Sequence, residues 1–216
     1  MNNFYFNLHT HEPIVQDAVV ALVNQYPWEF DATLNHYSIG IHPWYIKEDR
    51  IERDVEKIEQ ALQLKECKAL GECGLDKRIA IPIALQIAVF EKQIQLAEKY
   101  KKPLLIHCVA AFDELILLKN KHKITIPIII HGFSKNEQLA TQLLKNGFYL
   151  SFGKYLLQNP ELKDVFKALP LNRIFLETDT ITNSIQEVYA IAASYKQLSV
   201  ADLQSQIQTN YSKIFI

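Results

Sequence analysis

Neither a surplus of charge, nor a long apolar run, nor a paired-cysteine pattern marks this chain of 216 residues. Its 23 Lys and Arg stand against 24 Asp and Glu, a formal net charge of -1. That balance excludes a protein that holds long nucleic acid mainly by neutralising phosphates, while leaving room for a local basic patch. No stretch approaches the roughly 18 apolar residues of a membrane span. The opening Met1 to Phe6 has no basic segment leading into an apolar one, so a soluble, cytoplasmic chain with no membrane partner is expected. Cys67, Cys73 and Cys108 are odd in number and lack a CxxC spacing, which predicts reduced thiols and neither a disulfide framework nor a cysteine zinc site. With only 6 Gly and 8 Pro the chain is not low-complexity. Its 49% hydrophobic and 22% charged residues are those of a folded globular protein, and its length suits a single domain over residues 1–216.

What is present is an alternation of short β-rich runs with segments of helical period, the pattern of repeated βα units around a parallel sheet. Strands are expected at Phe4 to Leu8, Tyr37 to Ile41, Cys67 to Leu70, Leu104 to Ile106, Ile126 to Ile130, Phe148 to Phe152 and Arg173 to Leu176, seven in all. Ile51, Val55, Ile58 and Leu62 form one amphipathic stripe, and Ile83, Ile87, Phe90, Ile94 and Ala97 a longer one. Ser134 with Glu137 and Ser184 with Glu187 read as capping boxes, Asn159-Pro160 as a helix start, and Ser199 as the residue before a final helix. Residues 12–36 are the least clear: Ala18 to Val23 reads as a short helix, and Gln25 to Trp28 and the stretch after it lack a clean period.

The chemistry gathers at strand ends. His9-Thr10-His11 follows an apolar run, and residues two apart on a strand share a face, so both imidazoles can reach one metal ion. The same placement recurs: His42, His107 and His131 each follow an apolar run, as do Glu72 and the Glu177-Thr178-Asp179 segment. Five of the seven histidines lie at such ends; His36 and His122 do not. In a parallel barrel all C-terminal strand ends lie on one face, where loops build the active site. Burying this many imidazoles and carboxylates is costly unless something binds them. Four imidazoles with Glu72 and Asp179 suffice for two divalent ions sharing a bridging carboxylate.

These residues, in their order, resemble a known family. His9-x-His11, Gly40-Ile41-His42-Pro43, Gly71-Glu72-Cys73-Gly74-Leu75-Asp76, Pro103 to His107, His131-Gly132-Phe133-Ser134, Tyr149 to Phe152, Glu177-Thr178-Asp179 and Asn210 to Phe215 are similar to the motifs of the TatD-type metal-dependent deoxyribonucleases of the amidohydrolase superfamily. The resemblance implies a TIM-type (β/α) barrel, here incomplete or distorted with about seven strands. It implies two divalent ions (Mg, Mn or Zn), with His9 and His11 on the first, His107 and His131 on the second, and Glu72 bridging. Asp179 would be both a ligand and the acceptor of the nucleophilic water's proton, so that Asp179 and Glu72 carry the catalysis. His42, Lys77 and Lys135 would meet the substrate.

Several positions depart from the family's pattern. Asn7 stands where the family usually has Asp, Val109 where an Arg is usual, Lys135 adds a charge after His131-Gly-Phe-Ser, and no Pro follows Thr178-Asp179. The 28 residues between His11 and Gly40 are few for the family, which suggests a missing or vestigial βα unit. Lys77, Arg78 and Lys135 either receive phosphate oxygens or are ordinary solvated charge. Trp44, Tyr45 and Phe133 either stack on a base or pack loops. Cys73 and Cys108 adjoin expected ligands but point away from them along a strand and read as packing residues. The expected function is phosphodiester hydrolysis, acting on DNA ends or a small phosphoester. The alternatives are an amide or other ester hydrolase with the same metal site, and a metal-binding protein without turnover.

Overall fold

A computed structural model describes residues 4–215. In chain order the elements are β1 (Tyr5–Thr10), β2 (Val19–Gln25), β3 (Tyr37–Ile39), α1 (Ile51–Leu62), β4 (Cys67–Asp76), α2 (Ile83–Tyr100), β5 (Leu104–Val109), α3 (Phe112–Lys121), β6 (Ile128–Ile130), α4 (Glu137–Lys145), β7 (Tyr149–Phe152), α5 (Lys154–Gln158), α6 (Leu162–Ala168), β8 (Ile174–Leu176), α7 (Ile185–Lys196) and α8 (Val200–Phe215). Among the described residues eight strands are therefore present where the sequence pattern predicted seven. The additional one is β2, the Val-Val-Ala-Leu-Val run expected as a short helix; it is a strand, and its β-branched residues pair in parallel with β1, from Tyr5 opposite Val19 to Thr10 opposite Val23. The short N-terminal third thus keeps its strand. Between β2 and β3, among the described residues, there is no α-helix, only a one-turn 3-10 segment, Pro27–Glu29. Among the described residues no helix is long and apolar enough to cross a membrane.

The chain divides into two compact units, residues 1–23 with 130–216, and residues 24–129. In the first, β7 and β8 pair in register from Leu150 opposite Ile174 to Phe152 opposite Leu176, and Thr10 forms an isolated parallel bridge with Asp179. The core is aromatic: Phe6 packs against Phe175, Tyr211 and Phe215 at centroid distances of 4.6–5.9 Å. The Tyr189 hydroxyl donates to Phe6 O (3.0 Å) and accepts from Phe6 N–H (3.2 Å), finishing the backbone bonds of β1. Asn210 of α8 is buried and gives its amide to Leu171 O and Ile174 O, at 2.8 and 2.9 Å, fixing the chain where it enters β8. The Ser184–Glu187 capping box opens α7 as its sequence requires. The expected Ser134–Glu137 box is not what caps α4: Asn136 does, accepting from Leu139 N–H at 3.0 Å, because the helix begins directly after it.

In the second unit β3 pairs with β4 and β4 with β5, all parallel. The apolar stripes of α1 and α2 face the sheet, with Ile58, Leu62, Phe90, Ile94 and Ala97 at most 2% exposed. Two buried glutamines share that face of α2, two helical turns apart. Gln93 accepts from Ile41 N–H (2.8 Å) and donates to Ile41 O (3.2 Å), while Gln86 accepts from Asp76 N–H (2.8 Å) and donates to Asp76 O (2.9 Å). Each side-chain amide stands in for a peptide group. Gly74 sits at φ 133°, and a Cβ there would lie 2.1 Å from His107 O, so β4 and β5 can close together only over glycine.

Candidate metal centre

In the first unit β1 delivers His9, buried, and leads directly into His11. Their rings are 5.0 Å apart, and the His131 ring is 4.6 Å from that of His9. Asp179 Oδ1 is 3.7 Å from His9 Nε2 and 3.4 Å from His11 Nε2. One ligand atom each from His9, His131 and Asp179 lies within 4.8 Å of the others, the spacing of donors around a single cation.

The backbone sets this arrangement. Asp179 adopts φ 54°, a left-handed conformation that Asp tolerates better than most residues. Its N–H donates to His9 O at 2.9 Å, and its carbonyl accepts from His11 N–H at 3.4 Å. The residue before it is gripped by Asn7, whose Nδ2 donates to Thr178 Oγ1 (2.8 Å) and whose Oδ1 accepts from Thr178 N–H (3.0 Å). Glu177, 1% exposed, accepts from Gly132 N–H at 2.7 Å and lies 3.5 Å from His131 Nδ1, orienting that ring. A Cβ at Gly153 would come 2.4 Å from Glu177 O, so the close approach of β7's end to Glu177 needs glycine.

In the second unit Glu72, 4% exposed, sits within β4, its N–H donating to Asn24 Oδ1 at 2.9 Å. Its Oε1 is 3.1 Å from His42 Nε2 and 3.2 Å from His107 Nδ1. His42 Nδ1 accepts from Trp44 N–H at 3.1 Å. A backbone N–H can only donate, so in the neutral ring the proton is on Nε2 and points at Glu72. His42 thus orients the Glu72 carboxylate. His107 Nε2 is 3.3 Å from Asp76 Oδ2, which also accepts from the Trp44 indole N–H at 2.7 Å, while Asp76 Oδ1 accepts from Arg78 N–H at 2.8 Å. Burial alone would raise Asp76, but the hydrogen bonds from Trp44, Arg78 and His107 together hold its carboxyl below its ordinary range.

Asp76 and Glu177 are the contributors that sequence reasoning passed over. Both lay inside quoted motifs. Asp76 stands four residues after Glu72, an even strand spacing that placed both carboxylates on one face.

The remaining residues fall into place by burial. Phe133 is 2% exposed and packs on Phe152 at 5.6 Å, so it belongs to the core. Lys77 is ion-paired with Glu114; Lys135 is half-buried after His131. Burial, with Glu72 nearby, pushes the Cys73 thiol well above its ordinary value. Burial, with Glu72 and Tyr45 adding to it, keeps the Tyr26 hydroxyl protonated far above its usual range.

A family model described as TatD related DNase matches residues 15–216. The chain belongs to the TatD-related DNase family. An uncharacterized metal-dependent hydrolase of Buchnera aphidicola subsp. Baizongia pistaciae is 34% identical over 147 residues, 66% of this chain and 55% of that protein. The chain spans little more than half the length of such relatives, 55–58% of the first three. Among solved structures it is similar to YjjV, a TatD homolog from Escherichia coli, with a TM-score of 0.75 and 23% identity over 83% of this chain and 76% of that one. It is similar also to an uncharacterized amidohydrolase from Saccharomyces cerevisiae, with a TM-score of 0.76 and 13% identity over 99% of this chain and 100% of that one. These likenesses show the fold, an α/β chain of the TIM-type barrel class with eight parallel strands, and the TatD-type family is one of metal-dependent hydrolases.

Proposed function

We propose that this chain is a metal-dependent phosphodiesterase that acts on DNA ends or on a small phosphoester. The observation that carries the reading is the facing of His107 Nδ1 and Glu72 Oε1 at 3.2 Å. With both Asp76 oxygens already accepting hydrogen bonds, His107 Nε2–H is the donor to Asp76. In the neutral ring Nδ1 then turns its lone pair to a carboxylate oxygen, an arrangement that a cation relieves. His9, His131 and Asp179, with His11 beside them, supply a second donor set of the mixed imidazole and carboxylate type that suits Zn and Mn, and with fewer imidazoles Mg. Two divalent ions are therefore proposed, held by His9, His11, His131 and Asp179 and by Glu72 and His107.

A divalent ion in such a site supplies Lewis acidity, lowering the pKa of water and offsetting charge on a phosphoryl oxygen. The chain's own residues do the rest. Asp179, whose side chain is 25% exposed, is positioned to accept the proton of an attacking water at Oδ1. His42 holds the Glu72 carboxylate by its Nε2–H, and Asn7, through Thr178, holds the turn that carries Asp179. Lys77 is engaged by Glu114, which leaves Lys135 as the lysine proposed to meet phosphate oxygens.

The test is elemental analysis of the purified protein, followed by assay of bis(4-nitrophenyl) phosphate against a cyclic amide, with and without chelator. Metal-dependent cleavage of the phosphodiester is expected. Metal-free protein that cannot be reloaded, or turnover of the amide alone, overturns the reading.

A further inference from the structure

His42 is followed at once by a 3-10 turn, Pro43–Tyr45, that carries two large aromatic side chains into solvent: Trp44 is 53% exposed and Tyr45 41%. Exposure of this much ring at adjacent positions is unusual for a residue type whose area normally drives burial. Nearby aromatics show the contrast. Trp28 stacks on Tyr26 at 4.9 Å with rings nearly parallel, and the Arg50 guanidinium lies 3.7 Å from the Trp28 ring centre. Two flat groups on one ring must take opposite faces, so Trp28 is sandwiched and serves packing. Tyr45 closes this cluster edge-on, 5.2 Å from Tyr26 and 5.9 Å from Trp28.

Trp44 is held differently. Its indole N–H donates to Asp76, itself 2% exposed, at 2.7 Å. Its ring centre is 5.2 Å from that of His42 and 5.8 Å from that of His107. The ring is thus fixed by its polar edge at the rim of the His42–Glu72–His107 group while its apolar surface stays in water. A side chain ordered in this way has lost its rotamer freedom before any ligand arrives, which lowers the cost of binding a flat partner. In a phosphodiester the flanking planar group is the nucleobase, one sugar away from phosphorus, and stacking on an indole is sequence-tolerant because every base has a π-face.

We propose that Trp44, flanked by Tyr45, is the platform on which a nucleobase next to the scissile phosphate stacks. The proposal rests on the phosphodiesterase reading, and the experiment separates the two. Trp28→Phe protein, whose fluorescence reports Trp44 alone, is titrated with a deoxydinucleotide and with the same phosphodiester bearing abasic tetrahydrofuran in place of both bases. Quenching by the base-bearing ligand and not by the doubly abasic one is expected. In parallel, Trp44→Ala is expected to raise KM for the dinucleotide about tenfold more than it raises KM for the abasic substrate, while Trp44→Phe, which keeps a ring and drops the bond to Asp76, retains most of the base dependence. Equal effects of Trp44→Ala on both substrates, or quenching indifferent to the base, overturns the proposal even if phosphodiesters are cleaved. Base-dependent quenching without any phosphodiester cleavage supports the ring site and overturns the assigned reaction instead.

Discussion

Asn7 and Thr178 exchange two hydrogen bonds, side-chain amide to hydroxyl and backbone N–H to side-chain carbonyl, at 2.8 and 3.0 Å. The family usually has Asp at this position, and the exchange explains how Asn serves: its oxygen accepts the backbone bond that a carboxylate would, and its amide replaces the other acceptor with a donor. Asn7→Asp should therefore keep the clamp, with the Thr178 hydroxyl turning round to donate. Asn7→Ala strands two buried polar groups, costing about 1–3 kcal/mol and loosening Asp179. Thermal melts and kcat measured on both variants check this; an Ala variant with wild-type kcat would free Asp179 from dependence on the clamp.

Asp76 offers a sharper test of orientation. Asp76→Asn preserves shape but places a donor or a weaker acceptor against His107 Nε2 and the Trp44 indole. A drop of about 10- to 100-fold in metal affinity is expected, the usual penalty for removing a ligand's supporting carboxylate. Competition with a fluorescent chelator measures it, and unchanged affinity would show that Asp76 does not support His107.

Ligand removal follows from the donor sets. Glu72→Ala should strip from the protein the ion proposed to sit between Glu72 and His107, one equivalent of the two. His131→Ala is expected to lose less, since His9, His11 and Asp179 remain. Metal stoichiometry by elemental analysis reads both; wild-type content in Glu72→Ala would remove Glu72 from the ligand set.

Away from the site, Glu98 supports the turn before β6. Burial would raise its carboxyl, but the Thr125 N–H, Lys101 and the Ile126 N–H together hold it below its ordinary 4.5. A lowered folded-state value means that its stabilisation is fully present above about pH 4.5 and is lost as pH falls through the folded value. Glu98→Gln should therefore be less stable than wild type at pH 7 and converge with it at strongly acid pH. Urea unfolding at both pH values decides, and a gap that persists unchanged at acid pH would show that charge on Glu98 is not its source.

The strand-end histidines and the long amphipathic stripes were legible because each depends on a local repeat. Less local features were not. Val19 to Val23 passed for a short helix because a short apolar run fits either state, and only pairing with β1 decides for strand. Asn136 rather than Ser134 caps α4 because the helix start is set by where the preceding loop ends, which no local box specifies. Phe133, a candidate for base stacking by sequence, is drawn into the core against Phe152. Asp76 and Glu177 escaped notice because a supporting carboxylate is recognised by what it faces, and the facing residues lie 31 and 46 positions away in the chain.

The amides of Gln86 and Gln93 have a consequence for time-resolved behaviour. Ile41 N–H, outside any strand, and Asp76 N–H, at the end of β4, are each capped by a side chain from the same helix. Neither proton can exchange with deuterated water until that helix lifts, so both should show slow exchange that moves in step with the backbone amides of α2 rather than with the neighbouring loops. The glutamines make one helix the timekeeper for the segment after β3 and for the end of β4.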